Sequence, residues 1–350
     1  MAKREAWELK HMQAVPLEGK IIMTKRRIRE WYDHFDGQVY VSFSGGKDST
    51  VLKHIVDSMF DDVPAVFVNT GLEYPEIQNF VRDVKSGKYD CFNTDVEILR
   101  PEIRFDEVIK EYGYPVISKE ISERIYYAKK GGEWAIRCLN GENPDGSKSV
   151  FKQRSKKYAF LVDSPIPVSH KCCTVMKKNP AKRYEKETGR KPILATMACE
   201  SYLRKTQWTK VGCNAFEGIR PRSAPMSFWT EQDVLHYILK NNVPYASVYG
   251  DIVFKEQDDT LNGQMNITDY LGINACDPLE TTGVDRTGCI FCMFGAHLDE
   301  TPNRFQRLKQ THPKQYDYCI NGGEMVNGKW QPNKEGLGLG YVLDFISVKY

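Results

Sequence analysis

The sequence predicts an α/β protein: a doubly wound, mostly parallel sheet with one insertion and a smaller, loop-rich C-terminal lobe. Three observations predict it. Short β-prone runs alternate with helical patterns through the first half of the chain, the signature of strand–helix–strand crossovers. The runs are continuously apolar, as strands buried on both faces are. Glycine-bearing turns follow the first two runs, on the side where open parallel sheets bind ligands.

The elements follow in order. An amphipathic helix is expected from about Leu17 to His34, ahead of a first strand at Gln38–Val41. A glycine-rich turn then leads into a helical segment, Val51 to Phe60, which Asp61 and Asp62 break. Ala65–Val68 reads as a buried strand ending at Asn69-Thr70-Gly71, and Pro75 opens a helix to about Lys85, at a position that tolerates proline. Val96–Leu99 is a third strand, with a helix near Asp106–Tyr112. Pro115–Ile117 and Lys119–Lys130 continue the alternation.

Residues 131–169 break the pattern with Gly-Gly, Asn-Pro-Asp-Gly and a lysine-rich patch, and read as an inserted loop or hairpin. After it come a helix around Cys173–Thr188, a strand at Pro192–Thr196 and a helix around Cys199–Trp208. Thr230 to Asp233 forms a capping signal for a helix to about Asn241. The expected division is an N-terminal helical segment, 1–36, a nucleotide-binding domain, 37–242, and a C-terminal lobe, 243–350. Gly336 to Gly340 reads as a turn.

The 350 residues suffice for one large domain with an appendage, or two domains. A 41% hydrophobic, 27% charged composition is ordinary for a soluble globular protein, and a net charge of +3 does not by itself argue for nucleic acid. Basic character is local, at Lys25–Arg27, Lys152–Lys157 and Lys177-Lys178, and reads as solvated faces or as contacts for nucleic acid. With no apolar run of membrane-spanning length and no apolar signal core, a cytoplasmic protein without membrane contact is expected. Ten cysteines in that compartment favour metal, cluster or redox chemistry over disulfides.

The chemistry concentrates first in Ser42 to Thr50. A strand turning through Gly45 and Gly46 into a helix N-terminus exposes backbone N–H groups and the positive end of the helix dipole. Lys47 adds a mobile cation, and Ser44, Ser49 and Thr50 add hydroxyls. Asp48 either helps to hold a metal or caps the helix. The glycines are too close together for the GxxxxGK[ST] loop.

The second concentration is sulfur. Cys289 and Cys292 form a CxxC, and Cys172 and Cys173 are vicinal. Adjacent helical side chains splay about 100° apart, which suits two corners of a cubic cluster better than one small tetrahedral ion. Four thiolates are what a [4Fe–4S] cluster needs, and Zn²⁺ is the alternative. Cys91, Cys138, Cys199, Cys213 and Cys276 lack ligand spacing and read as core or loop residues. His170 is a candidate outer hydrogen-bond donor. Cys319, in a late polar stretch, is a candidate exposed, reactive thiol.

The loop resembles the SGGxDS pyrophosphate loop of adenine-nucleotide α-hydrolase-like enzymes. Followed by the vicinal cysteines and the CxxC, it resembles the phosphoadenosine/adenosine phosphosulfate (PAPS/APS) reductase family from about Ile28 to Cys292. Asn69 to Glu76, Ser118-Lys119, Lys171-Cys172-Cys173 and Trp229 to Tyr245 look like further family segments. The resemblance implies an adenine nucleotide, ATP or PAPS/APS, held with Mg²⁺ by Ser42 to Thr50 together with Thr70, Gly71 and Arg204.

Two features depart from the family. The tail lacks its Glu-Cys-Gly-Leu-His cysteine motif, and Ala195 to Ser201 replaces its Gly-x-Arg stretch. The pattern is similar to iron–sulfur relatives that insert sulfur, such as thiolation enzymes and DndC-like DNA phosphorothioation proteins. The expected function is adenylylating sulfur transfer, with Lys47 and Asp48 at the reacting phosphate. The alternatives are a divergent phosphosulfate reductase using Cys319 or an external thiol, and a non-enzymatic nucleotide- or redox-sensing module. Expected partners are a sulfur donor such as a cysteine desulfurase or thioredoxin, and a nucleic-acid acceptor. The oligomeric state is open, with a homodimer among the options.

Overall fold

A computed structural model describes residues 4–149, 152–255 and 278–350. Cys276 lies outside the described residues. The chain divides into two units, each assembled from three pieces. Unit 1 comprises residues 1–68, 74–99 and 183–287; unit 2 comprises 69–73, 100–182 and 288–350. The expected boundary at 242/243 is therefore not where the units divide: residues 243–287 belong to unit 1 and the CxxC to unit 2. Packing, not chain order, sets the units. No described helix is long and apolar enough to cross a membrane.

Unit 1 opens with helices α1 (Ala6–Ala14) and α2 (Leu17–His34). In α2 the buried residues Lys20, Thr24, Ile28 and Trp31 fall on one face at helical spacing. Lys20 reaches Asp233 at 2.6 Å, and Thr24 accepts the Trp229 indole N–H at 2.8 Å, so the helix is held by polar pairs as well as by apolar burial. Strands β1 (Val39–Ser42), β2 (Ala65–Val68) and β3 (Val96–Leu99) alternate with α3 (Lys47–Asp57) and α4 (Pro75–Lys85). Pro75 sits in the first turn of α4, and Ile77, Phe80, Val81 and Val84 form its buried face. Helix α3 starts at Lys47 rather than at the expected Val51, because the turn is completed within the glycines.

The six-stranded sheet of unit 1 runs β3, β2, β1, Lys191–Ile193, Arg222–Ser223, Asn214–Ala215. Every pairing is parallel except the last. The order grows to one side of β1 through β2 and β3 and to the other through Lys191–Ile193. The loop after β1 therefore opens at a switch point, where parallel sheets bind ligands. The expected mostly parallel α/β fold is observed.

Unit 2 corrects two expectations. Val116–Ile117 is not a strand of the main sheet. It pairs in parallel with Met293–Phe294, and Ile117 turns into the left-handed region (φ +61°), ending the run after two residues. Residues 131–169 are more helical than a loop: helices Glu133–Leu139 and Gln153–Lys156 flank one antiparallel bridge between Glu142 and Lys148. Gly338 (φ +66°) begins the helix Leu339–Phe345, so the late glycines form a turn, as expected.

Candidate functional site

The loop of unit 1 is shaped by two glycines. Gly45 has φ +73°, and a Cβ there would lie 2.8 Å from Ile77 Cγ2 and 3.0 Å from Val81 Cγ2 of α4. Only glycine permits both the turn and that approach. Gly46 is the N-cap of α3 and offers no side chain to cap it, and the first helical N–H, that of Lys47, is met by the distant Tyr249 hydroxyl. Asp48 therefore does not cap it, and the capping alternative falls. Its carboxyl is instead pushed up by burial, an effect that neighbouring Lys47 opposes.

Ser44 and Ser49 brace the turn: the Ser44 N–H donates to Ser49 Oγ at 3.1 Å, and the two hydroxyls lie 3.0 Å apart. Thr50 donates to the Gly46 carbonyl at 3.0 Å and is fully buried, a structural rather than a lining role. Ser42 and Gly45 likewise support the turn from outside the cavity lining.

A cavity opens over the start of α3. Ser44, Gly46, Lys47, Asp48, Ser49 and Arg204 line it, all of them expected from the sequence. Thr70 and Gly71 do not; they belong to unit 2, where the Thr70 hydroxyl donates to Glu73 at 2.7 Å. The nearly buried Lys47 ammonium lies 2.9 Å from Glu231 Oε1 and 5.0 Å from the centre of the Tyr249 ring. The Lys47 N–H donates to the Tyr249 hydroxyl at 3.3 Å, and that hydroxyl lies 2.7 Å from Thr287 Oγ1. Burial pushes the Tyr249 phenol up to about 12, so it stays neutral.

Arg204 and Arg286 share one carboxylate, Glu200. Burial, and after it the like charge of Arg286, lowers the basicity of Arg204. Two guanidiniums this close gain from an anion between them. The sequence reading missed Tyr249, Glu231, Asp285, Arg286 and Thr287. Most come from segments without periodicity, and the one available signal was that Arg286-Thr287 immediately precedes Gly288-Cys289.

The cysteines assemble in unit 2. Cys172, Cys173, Cys289 and Cys292 line one small cavity, with Lys177 and the apolar residues Leu72, Phe105, Pro115, Met176 and Phe291. Cys172 and Cys173 Sγ are 3.8 Å apart. The Cys292 N–H donates to the Cys289 carbonyl at 3.0 Å, closing the CxxC turn. Arg304, held by Asp299 at 2.7 Å, donates to the Cys292 and Phe294 carbonyls, each at 3.0 Å.

The hydrogen bond between Cys172 and Cys173 lowers the Cys173 thiol and raises that of Cys172, while burial pushes Cys289 up to about 11. The donor set is thiol alone, without carboxylate or imidazole, which suits a thiolate-ligated group. Among the described residues, no three His, Cys, Asp or Glu side chains form a group that could hold a metal ion as they stand.

Two cysteine and histidine expectations change. Cys319 is fully buried, on the inner face of the helix Pro313–Ile320 with Tyr316 and Ile320, and burial pushes its thiol well up. It is not an exposed, reactive thiol. His170 lies 3.7 Å from Glu123 and does not line the cysteine cavity.

A glycine loop that brings lysine, hydroxyls and backbone N–H groups to a strand switch point defines a class: parallel α/β proteins that seat a phosphate-bearing ligand there. Within that class the chain belongs to the phosphoadenosine phosphosulfate reductase domain family, which matches residues 38–130 and 135–294. Two uncharacterized proteins of Methanocaldococcus jannaschii are 24% identical to it. One aligns over 225 residues (63% of this chain, 35% of that protein), the other over 325 (90% and 56%). The chain thus spans about a third and just over half of the curated relatives it matches. A crystal structure of PAPS reductase from Candida auris, a phosphate complex, aligns with TM-score 0.37 and 17% identity. That alignment covers 64% of this chain and 82% of that one.

Proposed function

We propose that the chain is an adenylylating enzyme of sulfur transfer, which binds ATP at the Ser44–Ser49 loop and activates an acceptor oxygen. The observation that carries the reading is the convergence of Lys47, Arg204 and Arg286 on the first turn of α3. The acceptor oxygen attacks the α-phosphorus, the new P–O bond forms as the bond to pyrophosphate breaks, and pyrophosphate leaves with its charge. Lys47 and the loop N–H groups neutralise that charge, and the neutral Tyr249 hydroxyl supplies one more donor. Positioning and electrostatics supply most of the acceleration in such a transfer.

The charge balance favours a magnesium nucleotide. Four carboxylates, Asp48, Glu200, Glu231 and Asp285, face three cations in the cavity. A bare polyphosphate meets net repulsion there, whereas Mg²⁺ arriving with the nucleotide reverses it. Asp48 and Asp285 are the oxygen donors we assign to that ion.

We assign Cys172, Cys173, Cys289 and Cys292 as ligands of a [4Fe–4S] cluster, with zinc as the alternative. When bound, such a cluster supplies one-electron chemistry or a sulfur-carrying site. Lys177, whose ammonium pairs with Cys289, offsets thiolate charge in the cavity. A sulfur donor such as a cysteine desulfurase or thioredoxin, and a nucleic-acid acceptor, complete the reading.

The family match favours a second reading, a divergent phosphosulfate reductase. Its thiol would come from outside the chain, since Cys319 is buried. ATP–pyrophosphate exchange, measured beside sulfite release from PAPS, separates the two. Exchange that depends on acceptor and Mg²⁺ is expected. Brisk sulfite release without exchange would overturn the adenylylation reading, and tight nucleotide binding with neither activity would leave a sensing module.

A further inference from the structure

Unit 2 holds a second, larger cavity of about 460 Å³, open to solvent, that the nucleotide reading does not use. Its floor is apolar: Leu72, Phe105 and Phe291 are each less than a tenth exposed. Its rim is polar, with Asn69, Arg104 and Tyr318. The Tyr318 ring stands 6.2 Å from that of Phe291, tilted by 51°. Arg104 is hydrogen-bonded to Tyr318 and lies 3.1 Å from Asp106, so the exposed guanidinium stands beside the aromatic ring. An apolar floor under a few convergent polar groups is the usual make-up of a small-molecule site.

The charges narrow the occupant. Arg100 and Arg104 line the cavity, but Glu102 and Asp106 match them one for one. A bare polyphosphate gains little from a rim so balanced. A flat, neutral ring with hydrogen-bonding edges gains from every part: stacking on Tyr318, Phe105 and Phe291, and edge contacts at Arg104 and Asn69. The cavity is large enough for a purine or pyrimidine with its sugar. Leu72, Phe105 and Phe291 also wall the cysteine cavity, so a ring bound here lies against the wall of the four thiols.

We infer that this cavity binds a planar heteroaromatic ring of nucleobase type and holds it beside the cysteine site. Only the further step, that the ring is the acceptor's, rests on the adenylylation reading.

Calorimetric titration of the full chain with adenosine, guanosine, cytidine and uridine tests the inference, because nucleosides carry no phosphate for the loop of unit 1. At least one is expected to bind. Tyr318→Ala should weaken it about tenfold or more, Tyr318→Phe should retain it, and Lys47→Met should leave it unchanged. Tyr318 is over a third exposed, so its replacement by alanine is tolerated, and an unshifted melting curve checks this. The absence of nucleoside binding would overturn the inference, as would binding that Tyr318→Ala spares. If the chain failed to bind ATP, the loop reading would fall while nucleoside binding at Tyr318 stood.

Discussion

Lys47 and Glu231 form an ion pair of 2.9 Å across the mouth of the loop cavity, with the lysine nearly buried and the glutamate half exposed. The pair keeps the loop's one lysine engaged until a stronger anion arrives. Glu231 starts the helix Glu231–Asn241, whose N-cap, Thr230, is bonded to Asp233, and Asp233 in turn is paired with Lys20. The carboxylate is thus aimed by a fixed helix end.

Removing either partner should act in opposite directions. Glu231→Gln releases the lysine and should tighten magnesium–ATP binding roughly two- to fivefold, the range of a half-exposed pair. Lys47→Met removes a charge-assisted contact and should weaken binding about tenfold or more. Calorimetry on both variants checks this. Weaker binding in Glu231→Gln would mean that the carboxylate holds ligand or metal rather than competing for Lys47.

Two glycines separate backbone strain from collision. Gly45 and Gly71 have nearly the same φ, +73° and +75°, but a Cβ at Gly71 meets nothing within 4 Å. Gly71→Ala should cost about 1–2 kcal/mol, the left-handed penalty alone. Gly45→Ala adds contacts at 2.8 and 3.0 Å with α4 and should cost about 1–3 kcal/mol more. Denaturant melts of both variants measure the difference, and equal losses would show that α4 gives way.

Anaerobic purification should yield a chain with broad visible absorption and about four iron atoms. Cys289→Ser should lose most of the iron, while the exposed Cys91→Ser should keep it. One tightly bound zinc and no iron would replace the cluster assignment with the tetrahedral one.

His54 sets a pH dependence. Burial lowers its pKa, and Nδ1 lies 2.9 Å from the Tyr237 hydroxyl. A folded value below the unfolded one means that the unfolded chain takes up the proton first. Stability should therefore be full above about pH 6.5 and fall as the pH drops below it, down to the folded value. His54→Gln should flatten that decline in urea melts at pH 7.5, 6.5 and 5.5. An unchanged slope would assign the acid loss to other groups.

The parallel core was legible because its strands are apolar runs and its helices carry complete buried faces. Ala65–Val68, Pro75–Lys85 and Val96–Leu99 fall where the periodicity puts them. The loop and all four cysteines could be named from local spacing. What stayed hidden depends on distant packing. Val116–Ile117 looks like any short strand until its partner, Met293–Phe294, is known. Tyr249 and Arg286 sit in segments with no repeating pattern. Cys319 was misread although a signal existed: Tyr316, Cys319 and Ile320 have the i, i+3, i+4 spacing of a buried helical face.

The interleaving of the two units has a consequence for synthesis. Cys172 and Cys173 leave the ribosome long before Cys289 and Cys292, and unit 2 needs residues 288–350 to close. A nascent chain that has not yet reached residue 288 thus carries only two of the four cysteines that line the cavity, in an unfinished unit. Formation of the cysteine cavity waits on the segment 288–350, and the two early cysteines stand without their later partners until it has been made.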